Sequence, residues 1–222
     1  IFSGPMLDFA AARRNMVDSQ LKPNRVLDAR VVAAMGTVPR EAFVPKALSG
    51  LAYIDDDLDI GRGRHLMEPM IFGRLLQACH IDPDDVALDI GCGTGYAAAV
   101  LARLATTVVA LEEDPELRSQ AIATFTRLQV NNAAVVEGAH NRGDPEHGPY
   151  DVIFIGGAVD EIPDSLQNQL NNGGRLAAVV VRDRVGKATL IERHGGVFSE
   201  RQLFDAATPI LPGFAVERGF VF

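Results

Sequence analysis

Short runs of β-branched and aliphatic residues recur through the second half of the 222-residue chain, and the segments between them carry apolar residues at helical spacing. Strands that alternate with helices favour an α/β fold with a doubly wound, mostly parallel sheet, because a parallel pair needs a crossover connection that a helix supplies. The tail contains Gly195-Gly196 between two apolar runs, which predicts an antiparallel hairpin at the sheet edge. The expected strands are 86–90, 107–111, 134–136, 151–155 and 175–181, the expected helices between them are 95–105, 115–128 and 162–170, and the expected hairpin strands are 188–192 and 202–210.

Two amphipathic helices are expected ahead of this sheet. The first runs from Asp8, a suitable N-cap, to about Pro23. The second carries an apolar stripe between Val26 and Met35 and ends before Pro39. Both helices have one apolar face, so each needs a partner surface to pack on.

The stretch 52–69 has an acidic run followed by two glycines among basic residues, which is typical of a long functional loop, and a helix over 71–80 follows it. We therefore expect a helical and substrate-loop region, 6–80, packed on a core of 81–222 in a single compact domain. Residues 1–5 resemble the remnant of an introduced protease-cleavage site and are expected to lie outside the fold.

Composition narrows the function classes. The chain is 47% hydrophobic and 23% charged, as ordinary globular proteins are, and its formal net charge of -8 argues against binding to nucleic-acid phosphates. Its two cysteines, Cys79 and Cys92, have no spacing typical of a disulfide framework or a metal site, so no metal is expected. No apolar run approaches the ~18 residues that a membrane helix needs. We expect a cytoplasmic protein with no membrane partner.

A glycine-rich turn follows the strand 86–90 and leads into a helix, in the order Asp89-Ile-Gly-Cys-Gly-Thr-Gly95. Glycines let the backbone turn sharply and let a ligand approach it, and a helix start offers free N–H groups. Glu112 lies at the end of the next strand, 21 residues beyond Gly91, where an acid can accept both hydroxyl protons of a ribose. The third glycine of a dinucleotide fingerprint is replaced by Tyr96, which disfavours NAD.

This turn resembles the first motif of the class I S-adenosylmethionine (SAM) methyltransferases. More specifically, the chain is similar to the protein-L-isoaspartate O-methyltransferase family. The segments that carry the likeness are Val-Pro-Arg-Glu-Ala-Phe-Val-Pro at 38–45, 52–55, 61–69, 95–96, 151–153 with 162–163, and 169–170 with 173–176. The resemblance implies SAM as cofactor, S-adenosylhomocysteine as product and a protein or peptide as substrate. The cofactor residues that it implies are Asp89, Gly91, Cys92, Gly93, Gly95, Tyr96, Glu112, Glu113, Ala139 and His140.

The chain departs from the family in two segments. Where members typically have Thr-Ile-Ser-Gln-Pro, with a serine that helps hold the substrate carboxylate, this chain has His65-Leu-Met-Glu-Pro69, so Met67 replaces the hydroxyl. Where members have Gly-Asp-Gly, with an Asp that contacts the adenine, it has Gly138-Ala139-His140. The roles of the serine and the Asp therefore do not transfer to Met67 or Ala139.

The expected acceptor side lies on the loop 52–69. Arg62, Arg64 and His65 can attract an anionic substrate or form a solvated basic loop, and Tyr53 can close over the substrate or belong to the core. The positions assigned to the acceptor site are His65, Met67 and Glu68 beside the reacting group, and Tyr53, Arg64, His65 and Leu66 for substrate binding. A carboxylate acceptor is already charged, so its methylation needs no general base.

The leading hypothesis is a SAM-dependent carboxyl methyltransferase that acts weakly on isoaspartyl groups of damaged proteins. A methyltransferase with a different acceptor and a non-catalytic SAM-binding protein remain alternatives, and a dinucleotide-dependent oxidoreductase is disfavoured by Tyr96. The sequence leaves the acceptor and the oligomeric state open.

Overall fold

The computed structural model describes residues 8–215, so the expectation for residues 1–5 lies outside the described part. Its centre is a seven-stranded sheet with the order β5-β4-β3-β6-β7-β8-β9. The strands are β3 Val86–Ile90, β4 Thr107–Glu112, β5 Ala133–Glu137, β6 Tyr150–Val159, β7 Leu170–Arg182, β8 Val185–His194 and β9 Val197–Asp205. The first five strands in this spatial order, β5, β4, β3, β6 and β7, are parallel to one another. Strand β8 pairs antiparallel with both β7 and β9, which confirms the expected doubly wound sheet with an antiparallel edge.

The α-helices of residues 8–215 are α1 Phe9–Met16, α2 Ala29–Thr37, α3 Pro69–Ala78, α4 Tyr96–Leu101, α5 Pro115–Leu128 and α6 Asp164–Gln167, and 3₁₀ helices span Arg40–Phe43, Lys46–Leu51 and His140–Arg142. A π-helical turn, Val17–Leu21, extends the first helix almost to Pro23, as expected. The second helix begins later than its apolar stripe, because the side chain of Asp28 accepts hydrogen bonds from the N–H groups of Arg30 and Val31 and so caps it.

Several expected boundaries were wrong, since β6, β7 and β8 are longer than expected and three other elements differ more strongly. The helix expected over 95–105 ends at Leu101 and continues only as turns, and the helix expected over 162–170 is a single turn. The last strand begins at Val197 and ends at Asp205, because the two-residue Gly195-Gly196 turn lets pairing with β8 start at His194–Val197. The residues after 205 leave the ladder instead and cross towards β6, where Ile210 forms a bridge with Ala158.

The stretch 52–69 is not an irregular loop throughout. Two short strands, β1 Leu58–Gly61 and β2 Arg64–Leu66, form an antiparallel hairpin, which is a separate two-stranded sheet. Leu58, Ile60 and Leu66 are buried, while the turn at Arg62 is exposed. We call this segment, residues 58–66, the β1–β2 hairpin.

Both faces of the seven-stranded sheet are covered. Leu88 and Ile90 of β3 point into one hydrophobic cluster, while Ala87 points into the other, together with Met16 and Met35 of the N-terminal helices. The N-terminal region therefore shares a core with the strands that carry the glycine turn. Among the helices of residues 8–215, none has the length and apolar character needed to cross a bilayer.

Candidate functional site

The glycine turn lies at the carboxyl end of β3, between the ends of β4 and β6. Gly91, Gly93 and Gly95 have φ values of 74°, 56° and 98°, a region that side chains other than glycine rarely adopt. The N–H groups of Gly91 and Cys92 donate to the carbonyl oxygen of Leu111 at 2.9 and 3.0 Å, which ties the turn to β4. The turn therefore lies at the sheet edge where open α/β sheets bind ligands.

Glu112 ends β4 directly beside this turn, and its side chain is completely buried. Its carboxylate accepts hydrogen bonds from the N–H of Gly93 at 2.7 Å and from the N–H of Asp114 at 3.1 Å. Burial alone would raise the pKa of Glu112, but His140 and the Arg64 guanidinium outweigh burial and lower this pKa to about 2. The structure thus brings the expected ribose acid and the glycine turn together, with the acid charged.

Arg64 holds this acid. Its Nη1 atom lies 2.8 Å from both carboxylate oxygens of Glu112, its Nη2 atom donates to the carbonyl oxygen of Gly91 at 2.5 Å, and its side chain is only 3% exposed. The expectation that Arg64 attracts an anionic substrate is therefore wrong for this arrangement, and Arg64 is not a solvated side chain either, whereas Arg62 is exposed. The charge of Arg64 is neutralised inside the protein, because a guanidinium is stable in the interior only with such partners.

Arg62 is also paired with acids of this chain rather than free for a substrate. On the turn of the β1–β2 hairpin, it forms an ion pair with Glu116 and lies 3.8 Å from Asp114. Both arginines of the hairpin therefore meet the acidic segment where β4 ends and α5 begins.

His140 joins the buried cluster from the segment after β5. Its Nδ1 atom lies 3.0 Å from the carbonyl oxygen of Pro212, which can only accept, so Nδ1 carries a hydrogen. Its Nε2 atom lies 3.4 Å from both the carboxylate of Glu112 and the Nη1 atom of Arg64. Ala139 is exposed and has no polar side-chain atom, and the half-exposed carboxylate of Glu113 lies 3.5 Å from His140.

The space above the glycines is filled by the chain itself. A Cβ atom placed on Gly91 would lie 2.8 Å from both Arg64 and Leu211, and one placed on Gly93 would lie 2.9 Å from Ile60. The cavity left beside the turn measures about 20 Å³. That is room for about one water molecule, whereas ligand pockets usually measure ~300–1,000 Å³.

Asp89 is buried below this turn, and neither of its carboxylate oxygens has a hydrogen-bond partner among residues 8–215. Burial raises the pKa of Asp89 to about 7, against the opposing attraction of Arg64. An unpartnered buried carboxyl group is costly, and it is the kind of group that a bound ligand or ordered water satisfies.

The expected acceptor positions lie on the segment that leads from the hairpin into α3. Leu66 and Met67 are buried, and both line the small cavity together with His65, whose Nδ1 atom has no partner within residues 8–215. Glu68 is half-buried. Burial and the neighbouring carboxylates of the acidic run 55–57 raise the pKa of Glu68 to about 7.

Tyr53 makes its polar contacts with the N-terminal region. Its hydroxyl donates to Glu41 and accepts a hydrogen bond from the Nε atom of Arg13 at 2.8 Å. The hydroxyl is therefore committed to holding the N-terminal region together, which contradicts the expectation that Tyr53 closes over a substrate.

Two other expected cofactor residues contribute mainly to packing. The ring of Tyr96 is buried between Phe43 and Phe72, with centroid distances of 5.6 Å to each, and its hydroxyl has no partner in the described part of the chain. Burial raises the pKa of the Cys92 thiol well above its usual value, so the thiol is inert.

Sequence reasoning did not find the residues that support the site. Arg40 is completely buried, and Thr94 of the glycine turn donates to the carbonyl oxygen of Phe43 at 2.5 Å. Both Arg40 and Phe43 lie in the Val-Pro-Arg-Glu-Ala-Phe-Val-Pro segment, which was the only sequence signal for this contact.

The side chains around the glycine turn have the chemistry that SAM binding needs, but the cavity beside the turn is too small for SAM. Glu112 is a charged acceptor for ribose hydroxyls, Asp89 is an acid without a partner, and the glycines permit close approach. In the arrangement described, however, Arg64 and Ile60 lie where a ligand must lie to reach them.

The comparisons with known proteins agree with one another. A family model described as Protein-L-isoaspartate(D-aspartate) O-methyltransferase matches residues 12–206. The chain is 42% identical over 164 residues to protein-L-isoaspartate O-methyltransferase 2 of Anaeromyxobacter sp. (strain Fw109-5), an alignment that covers 74% of this chain and 68% of that protein. It is 35% identical to the protein-L-isoaspartate O-methyltransferase of Koribacter versatilis (strain Ellin345), with 91% of each chain covered.

Solved structures give the same result. A protein-L-isoaspartate O-methyltransferase matches with a TM-score of 0.78 and 27% identity, over 91% of this chain and 67% of that one. A second match is a putative protein-L-isoaspartate O-methyltransferase from Plasmodium falciparum in complex with S-adenosyl-L-homocysteine. Its TM-score is 0.79 at 21% identity, over 94% of this chain and 100% of that one, and it supports the fold alone.

Proposed function

The chain belongs to the protein-L-isoaspartate O-methyltransferase family, and on that premise we propose that it methylates isoaspartyl-type carboxylates of damaged proteins, more slowly than serine-bearing members do. The family consists of SAM-dependent protein carboxyl methyltransferases. The observation that carries the proposal is the position of Glu112, a charged carboxylate at the end of β4 beside three glycines with positive φ.

Several residues would hold the cofactor. Glu112 would accept the ribose hydroxyls, Gly91 and Gly93 would allow the backbone to be approached, and Asp89 would gain the partner that it lacks. SAM supplies a methyl group bound to a positively charged sulfur. The remaining task of the protein is to hold the acceptor carboxylate in line with that methyl group and to exclude water.

The reduced rate follows from the acceptor side. Met67 has no hydroxyl to donate to a carboxylate, and loss of one such donor typically costs ~1–3 kcal/mol. Burial and the neighbouring acids raise the pKa of Glu68 to about 7, so this side chain gains a negative charge next to the incoming carboxylate as the pH rises through neutrality. Turnover is reduced rather than abolished, because the charged acceptor needs no general base.

We further propose that the substrate is a protein or peptide and that this protein is located in the cytoplasm. Both Cys79 and Cys92 are free and buried, as expected of a protein from a reducing compartment. The hydrophobic cluster shared by the N-terminal helices and the sheet supports a single domain in which residues 6–80 form the acceptor side.

Transfer of tritium from labelled SAM to an isoaspartyl peptide tests the proposal. The control is the same peptide with normal aspartate, and the matched enzyme variant is Glu112→Ala. We expect slow, isoaspartyl-dependent labelling that the variant reduces. The proposal fails if folded protein transfers no label to the isoaspartyl peptide, or labels both peptides equally.

A further inference from the structure

We propose that the β1–β2 hairpin is a built-in competitor of the cofactor, in which Arg64 occupies the hydrogen-bonding positions on Glu112 that the ribose hydroxyls need. The cofactor can then bind only after Arg64 leaves Glu112 and the hairpin moves off the glycine turn. This inference rests on the proposed function, since it assumes that the ligand of the cleft is SAM.

The hydrogen bonds at Glu112 are the first reason. Its two oxygens accept from Gly93, from Asp114 and, at 2.8 Å each, from the Nη1 atom of Arg64. A ribose would offer two neutral O–H donors to the same oxygens, whereas Arg64 offers a charged donor, which makes stronger hydrogen bonds. Arg64 therefore satisfies the acid that the cofactor has to engage.

Space is the second reason. Arg64 and Leu211 lie directly over Gly91, Ile60 lies over Gly93, and the cavity that remains is about 20 Å³. No rearrangement of Glu112 alone makes room for a nucleoside, because Ile60 covers the turn independently of the charge pair. The chain thus blocks the cleft through both a polar and an apolar contact.

The pairing and the turn of the β1–β2 hairpin favour its movement relative to the seven-stranded sheet. It is a two-stranded sheet that pairs with no strand of the seven-stranded sheet in residues 8–215, and β2 has only three residues. At its turn, Gly61 and Gly63 have positive φ, and Arg62 is held by the exposed ion pair with Glu116. Opening the hairpin exposes the buried side chains Leu58, Ile60 and Leu66, but it breaks no hydrogen bond of the seven-stranded sheet, so it costs less free energy than opening a strand of that sheet.

Competition of this kind lowers the apparent affinity for the cofactor by the fraction of molecules whose cleft is open. Removing the charged contact should raise that fraction. Arg64→Gln removes the charge and keeps part of the aliphatic side chain. Arg64→Lys keeps a positive charge but has a single nitrogen, so it cannot contact Glu112 and the Gly91 carbonyl oxygen through two separate nitrogens as Arg64 does.

Calorimetry with S-adenosylhomocysteine, which binds without turnover, tests the inference. We expect Arg64→Gln to bind at least tenfold more tightly than the wild type and Arg64→Lys to lie between them. Ile60→Ala should also tighten binding, by relieving the contact over Gly93. Arg182→Gln is the matched control, because the exposed Arg182 pairs with Glu200 on the antiparallel part of the sheet, and it should bind like the wild type.

Hydrogen exchange on the wild type provides a readout that does not depend on any variant. With millimolar S-adenosylhomocysteine, amides of residues 58–66 should exchange faster and amides of residues 91–95 more slowly. A structural hairpin that merely borders the site would be protected by the ligand or unchanged.

The outcomes separate the two proposals. If the wild type binds as tightly as Arg64→Gln, or the hairpin amides are protected on binding, the hairpin does not compete, while the proposed function stands. If neither the wild type nor a folded Arg64→Gln variant binds S-adenosylhomocysteine, both proposals fail. If Arg64→Gln does not fold, Ile60→Ala and the hydrogen exchange of the wild type decide the question.

Discussion

The Nη2 atom of Arg40 donates to the carbonyl oxygen of Met67 at 2.7 Å, and the Nε atom of the same side chain donates to the carbonyl oxygen of Ala52 at 2.6 Å. Arg40 is completely buried, and its guanidinium lies 5.0 Å from the ring centroid of Tyr96. Arg40 therefore holds the backbone near both ends of the stretch 52–69, which carries the β1–β2 hairpin. Through its bond to Met67 it also positions the backbone of the expected acceptor residues.

Replacing Arg40 should destabilise the protein strongly. Arg40→Met introduces an apolar side chain of similar length, which leaves the carbonyl groups of Ala52 and Met67 without hydrogen-bond donors. We expect a loss of about 2–4 kcal/mol in the free energy of unfolding, because each buried unsatisfied group costs ~1–3 kcal/mol. Urea denaturation measures it, and Arg14→Met, on an exposed arginine of α1, is the control. A loss equal to that of the control would mean that these hydrogen bonds contribute nothing to stability.

The Arg64–Glu112 pair should show strong coupling in a double-mutant cycle. Arg64→Gln or Glu112→Gln alone leaves one buried charge without its partner, at a cost of ~3–5 kcal/mol. The double variant has no unpaired charge, so we expect its free energy of unfolding to be at least as large as that of the less stable single variant. Denaturation of all four proteins under the same conditions gives the coupling free energy, and additive losses would contradict the pairing.

The fold was largely predictable because its signals are local. Strands β3 and β4 are short apolar runs bounded by acidic and glycine residues, and α5 begins at Pro115 after the cap Asp114, so the sequence marks both of its ends. The boundaries of α4 and β9 were missed, since these depend on what the chain packs against or pairs with rather than on its own residues.

The β1–β2 hairpin was missed for a different reason. Only Leu58-Asp59-Ile60 alternates apolar and polar residues before the glycines of the turn, and a run of three residues is too short to predict a strand. The burial of Arg64 was equally unpredictable, because an arginine is rarely buried without a partner and its partner, Glu112, lies 48 residues away in the sequence. The glycine turn and Glu112 were identified because motif spacing records a ligand site, whereas spacing does not record what else covers that site.

Asp89 should make stability depend on pH. Its pKa is raised from 3.8 to about 7 by burial, so between pH 4 and pH 7 the unfolded chain releases a proton that the folded protein retains. Stability from this group therefore falls as the pH rises through that window and is constant above it. Relative to the wild type, Asp89→Asn should gain about 2–4 kcal/mol between pH 4 and pH 8, at ~1.4 kcal/mol per unit of pKa.

Urea denaturation from pH 4 to pH 8 measures this difference, with Asp84→Asn, at an exposed position, as the control. Two curves that run parallel over the whole range would show that Asp89 titrates normally. Saturating S-adenosylhomocysteine should reduce the pH dependence of the wild type if the ligand gives Asp89 a partner.

Glu68 should make methyl transfer depend on pH in the same range. Burial and its acidic neighbours raise its pKa to about 7, so it is neutral at pH 6 and negative at pH 8, when it repels the acceptor carboxylate. We expect kcat/KM for an isoaspartyl peptide to fall roughly fivefold from pH 6 to pH 8, corresponding to about 1 kcal/mol of partly screened repulsion. Glu68→Gln should abolish the fall, whereas Glu146→Gln, on an exposed glutamate, should retain it. An identical pH profile for Glu68→Gln and the wild type would exclude this role.

Restoring a hydroxyl at Met67 should increase isoaspartyl methylation. In a Glu68→Gln background, Met67→Ser supplies a donor beside the cavity that Met67 lines, and we expect a gain of one to two decades in kcat/KM, on the ~1–3 kcal/mol scale of a regained polar contact. Met67 is only 6% exposed, so the same change removes packing and should lower stability by about 2–4 kcal/mol. The matched control is therefore Met67→Ala in the same background, which loses the same packing without gaining a hydroxyl. Equal rates for the serine and alanine variants, both still binding S-adenosylhomocysteine, would mean that the acceptor is not held at this position and that a different methyl acceptor has to be sought.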